Sequence, residues 1–90
     1  MSRGNTYSIL KHGDGIPETV FTTTIFDKPR IQAEFDRLAG ELKDGETLEY
    51  LKADRNCYHC GLLVVTRETG NLWRETPTGR LVPYTTKEPL

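Results

Sequence analysis

The chain has 90 residues, with 12 Lys and Arg against 13 Asp and Glu, a net charge of −1, and 36% hydrophobic residues. That length makes residues 1–90 a single compact domain with one modest core. So even a charge balance excludes a protein whose affinity comes from blanketing phosphate, and equally an acidic mimic of nucleic acid. No apolar run approaches the length of a membrane span, and the N-terminus lacks a charged region followed by an apolar one. The expectation is a cytoplasmic protein without membrane contact.

In chain order, residues 1–5 are expected to fray. Thr6 to Lys11 reads as a strand, with Tyr7 and Ile9 on one face and Leu10 on the other. His12-Gly13-Asp14-Gly15 is a turn signal, because glycine adopts backbone angles other residues resist. Glu18 to Phe26 is β-branched and aromatic almost throughout, and its threonines suggest a solvated face. The two segments predict an antiparallel hairpin.

Pro29 to Leu42 carries the clearest periodicity. Ile31, Phe35, Leu38 and Leu42 fall within a sector of about 60° at helical spacing. Pro29 suits the first helical position, and Asp27 sets negative charge near the positive end of the helix. Lys28, preceding the proline, is expected outside the helix. Gly45 is the natural stop. Arg30 with Glu34, and Arg37 with Glu41, stand at ion-pair spacing.

Beyond the helix, Thr47 to Ala53 fits neither period cleanly; a strand is expected, with a short helix as the rival. Asp54-Arg55-Asn56 turns. Leu62 to Arg67 has the continuous apolar character of a central strand. Glu68 to Asn71 turns into Leu72–Glu75, and Pro77 to Gly79 turns into a last strand over Arg80 to Tyr84. Pro83 there marks an edge or an ending. Residues 85–90 are expected as an extended tail. The order β-β-α-β-β-β, with short connections after the helix, predicts an α+β fold. Its antiparallel sheet has five or six strands, with one amphipathic helix across one face.

Cys57 and Cys60, with His59 between them, are the residues best suited to metal or redox chemistry. A redox pair wants its first cysteine at a helix N-terminus, and here strand-like Gly61 to Val65 follows. A tetrahedral zinc site would have to gather His12, Cys57, His59 and Cys60. Alternation along a strand sets Cys57 and His59 on one face and Tyr58 and Cys60 on the other. The reading taken is plain structural cysteines and no metal. A metal shared between chains, a redox pair and an opportunistic disulfide are the alternatives.

No serine, cysteine or threonine stands in a recognisable catalytic grouping, and Gly13-Asp14-Gly15 lacks the lysine and the helix of a phosphate loop. No enzyme activity and no cofactor are expected. The C-terminal third interleaves aromatic and basic residues: Tyr58, Arg67, Trp73, Arg74, Arg80 and Tyr84. Such a mixture suits a protein contact surface, where Trp, Tyr and Arg dominate binding. It also suits the stacking of single-stranded nucleic acid on a sheet. The plain alternative is that Trp73 packs under the helix and the arginines are surface charge.

The expectation is a non-enzymatic module that docks on a partner protein, with single-stranded nucleic acid as the first alternative and a zinc- or redox-linked protein as the second. An exposed edge strand could also pair two copies into a homodimer. In size and layout the chain resembles the small inhibitors and accessory proteins of phages and mobile elements. That resemblance implies an anti-defence role, such as the anti-CRISPR inhibition of a host nucleic-acid enzyme.

Overall fold

The segments expected as strands on both sides of the helix join one antiparallel sheet. The structure, a computed structural model, describes residues 5–54, 56 and 60–85. Its elements are β1 (Thr6–His12), β2 (Glu18–Thr23), α1 (Lys28–Gly40), β3 (Thr47–Ala53), β4 (Cys60–Glu68), β5 (Asn71–Glu75) and β6 (Leu81–Pro83). The six strands lie in the order β2-β1-β3-β4-β5-β6. The fold is therefore α+β, and Thr47–Ala53 is a strand. Apart from Asn5 and Thr85, the expected frayed start and extended tail lie outside the described residues, as does Arg55 of the turn after β3.

The topology explains where the helix sits. β2 and β3 both pair antiparallel with β1, one on each side. They run parallel to each other with β1 between them, so α1 must carry the chain across the sheet. Asp27 caps the helix, accepting the Arg30 N–H at 3.4 Å, and Lys28 opens it ahead of Pro29. Lys28 thus lies inside the element, one residue earlier than expected, because the cap is Asp27. The helix ends at Gly40, before Leu42, and Gly45 (φ 90°) closes the following turn.

Ile31, Phe35, Ala39 and Leu42 from the helix and its exit pack on Ile9, Leu48, Tyr50, Leu63 and Val65 of β1, β3 and β4. Leu38 is only partly buried; the inward sector centres between Phe35 and Ala39. Close backbone approach of helix to sheet is sparse and falls at β3, so side chains fill the space between the layers. Burying a Leu, Ile or Phe side chain contributes about 1.5–3 kcal/mol before entropy. Burial also raises the pKa of Tyr50 above its ordinary 10.0, and Tyr7 adds to the push. On the outer side of the helix Arg37 binds both Glu34 (2.8 Å) and Glu41 (3.2 Å). Glu34 has thereby taken Arg37 rather than Arg30. Among the described residues, no helix is long and apolar enough to cross a membrane.

Two polar clusters fasten the C-terminal strands to the helix. The Tyr84 hydroxyl donates to Asp36 Oδ1 at 2.9 Å, Gln32 Nε2 donates to the same oxygen at 3.0 Å, and the Tyr84 ring meets Phe35 edge-on. At the other end of the helix, the Arg67 guanidinium donates to the carbonyls of Ala39, Gly40 and Gly70. A cation there also meets the negative end of the helix dipole. Asp44 accepts the Gly70 N–H at 3.0 Å, tying the β4–β5 turn to the chain leaving the helix.

Candidate docking face

Side chains alternate between the two faces of a strand, so the register assigns each one. Ile9 opposite Tyr50, Leu48 opposite Val65, and Val65 opposite Arg74 all lie on the helix side. Their neighbours in sequence form the open face. It carries Ser8, Leu10 and His12 from β1, Thr47, Glu49 and Leu51 from β3, and Val64, Thr66 and Glu68 from β4. Asn71, Trp73 and Glu75 from β5 complete it, with Leu81 and Pro83 at the rim.

This face is ordered by short polar contacts. Ser8 and Thr22 share a hydroxyl hydrogen bond at 3.1 Å, and Thr47 and Thr66 one at 2.9 Å. His12 Nε2 meets Glu49 Oε1 at 3.0 Å. The Trp73 indole N–H donates to the Glu68 carbonyl at 3.3 Å, which holds the half-buried ring across the open face. Leu51 is buried and yet stands apart from the core cluster, on this second face.

Charge is sorted between the faces. The strand cations Lys11, Lys52, Arg67 and Arg74 all project to the helix side, while Glu49, Glu68 and Glu75 project to the open side; Glu18, opposite Lys11 at the start of β2, is the exception. Trp73 lies between Thr66 and Pro83, with Glu75 two residues along its strand and Glu68 diagonal to it, and Arg74, next in sequence, is on the far side of the sheet.

The six residues expected to form one contact surface are consequently divided. Trp73 is on the open face, so it does not pack under the helix. Arg67 and Arg74 are on the helix side, where Arg67 is bound to helix carbonyls. Tyr84 is 7% exposed and engaged with Asp36. Arg80 is exposed in the β5–β6 turn. Tyr58 lies outside the described residues, as do Cys57 and His59. Of the proposed metal ligands, His12 is bonded to Glu49 on the open face. Cys60 sits opposite Lys52 on the helix side and is disulfide-bonded, so the disulfide alternative replaces the expected plain cysteines. Among the described residues, no group of three or more His, Cys, Asp or Glu side chains is placed to hold a metal ion.

The residues that sequence reasoning missed are Glu49, Val64, Glu68 and Glu75. The alternation that places them on the same face as Trp73 was available in the strand pattern. Compared with protein-family models, with curated proteins and with solved structures, the chain matches none.

Proposed function

We propose that the chain is a non-enzymatic binding module that docks a partner protein on its open sheet face. Support comes from one arrangement: Trp73 on an ordered face whose strand charges are Glu49, Glu68 and Glu75, with every strand cation on the other side. An aromatic anchor ringed by polar groups is the common form of a protein contact. The carboxylates select a partner whose matching surface is basic. They also repel phosphate, which disfavours single-stranded nucleic acid, since that ligand wants cations beside the stacking rings.

An inhibitor of a host defence or nucleic-acid enzyme is the narrower form of this reading, because enzymes that hold phosphate backbones present cationic surfaces. The reading places the chain in the cytoplasm; the disulfide at Cys60 is the observation that runs against that placement, since the compartment keeps thiols reduced.

The test is a pull-down from native lysate, read by mass spectrometry, with the wild-type chain, Trp73→Ala and Arg74→Ala. A discrete protein retained by the wild type and Arg74→Ala but lost with Trp73→Ala is the expected result. Equal retention by Trp73→Ala overturns the assignment of this face. Salt-sensitive binding of single-stranded RNA or DNA by the wild type overturns the choice of a protein partner.

A further inference from the structure

β4 runs from Cys60 to Glu68, but β5 pairs only with its second half, from Val65 to Glu68. Continued past Val65 and Arg74, the register would set Val64 against Glu75, Leu63 against Thr76 and Leu62 against Pro77. Those pairs do not form. The strands part, and a cleft of about 500 Å³ opens between Gly61–Val64 on one wall and Arg74–Pro77 on the other.

The parting has local causes. Pro77 has no N–H to give a ladder. The Thr76 N–H donates to the Arg80 carbonyl at 2.7 Å, and its hydroxyl accepts the Arg80 N–H at 3.1 Å, so this turn closes on itself. On the opposite wall the register shifts at Leu62, a bulge that bends β4.

Backbone along a strand that no neighbour covers is satisfied by an extended segment laid beside it. No strand among the described residues takes that position beside Gly61–Val64. On the open side, an inserted side chain would fall between Val64 and the exposed carboxylate of Glu75. That carboxylate makes no hydrogen bond or ion pair among the described residues. An aliphatic stem ending in a positive charge fits both neighbours.

We propose that the parted strands form an insertion site for an extended segment of a partner protein, carrying a lysine or arginine beside Glu75. This rests on the partner being a protein and names the part of it that is gripped.

The probe is the blocked peptide Val-Lys-Val-Lys-Val, titrated into isotope-labelled chain and compared with Val-Glu-Val-Glu-Val. Saturable amide shifts confined to residues 61–64 and 74–77 are expected, with slowed amide exchange along Gly61–Val64. The glutamate peptide should bind at least about threefold more weakly, the scale of one exposed ion pair. Glu75→Gln should erase that preference and Glu75→Lys should reverse it. The peptide titration is read on the wild type and on Glu75 variants alone, so its failure leaves the Trp73 test in lysate standing, and failure of the lysate test leaves the cleft standing. No saturable shift, shifts spread beyond the cleft, or equal binding of both peptides overturns the proposal.

Discussion

The two faces of this sheet are made by the same strands read one residue out of step, yet they differ in nearly every physical respect. The helix side holds Ile9, Leu48, Tyr50 and Val65 against Phe35, with Arg67 reaching the last carbonyls of the helix. The open side holds threonine and serine pairs, the His12–Glu49 hydrogen bond, one tryptophan and carboxylates. Stability is concentrated on the first face, which leaves the second free to carry recognition at little cost to the fold.

That division can be broken by substitution. Phe35→Ala should have the largest effect, a loss of about 3–5 kcal/mol in chemical denaturation. A loss below about 1 kcal/mol would mean the core is not where the helix meets the sheet. Tyr84→Phe keeps the ring on Phe35 and removes the donor to Asp36, so it should cost about 0.5–1.5 kcal/mol. A larger loss would show that the Gln32–Asp36–Tyr84 cluster acts as a unit.

Trp73→Ala should cost no more than about 1 kcal/mol, the scale of a cross-strand pair on a solvated face, while abolishing partner capture. A cost comparable to that of Phe35→Ala would erase the distinction between the faces. The smallest effect at neutral pH belongs to Tyr50→Phe. Burial raises the pKa of Tyr50, so the folded chain holds that proton more tightly than the unfolded chain. The resulting stability is complete below the ordinary 10.0 and is lost as the pH climbs from there through the raised folded value. Tyr50→Phe should therefore leave neutral stability nearly unchanged and flatten the alkaline decline. An identical alkaline profile in both chains would assign that decline to other groups.

The helix is legible in the sequence because its signals are local: Asp27 and Pro29 at the start, and apolar residues at steps of three and four. The strand over residues 47–53 is obscured because both of its faces bury apolar residues. Tyr50 enters the core while adjacent Leu51 is covered on the opposite side, and strict alternation disappears. Arg67 carries no local sign of its role, since its acceptors at Ala39 and Gly40 are supplied only when the sheet forms. The contact surface expected from composition shows the opposite failure. Trp73 and Arg74 are adjacent, and adjacency on a strand is enough to separate them; grouping them by composition ignored a rule already in hand.

The two outer strands are unequal. β6 spans three residues and ends in Pro83, whereas β2 spans six with neither proline nor lysine, though a register shift in its pairing with β1 bends it. Among the described residues, a second copy aligned along β2 would use up the longer of the two outer borders. Growth along the outer borders would halt at two chains, because β6, three residues long and closed by Pro83, offers too short a ladder to continue. A sheet with two receptive borders has no such stopping rule and extends into a fibre.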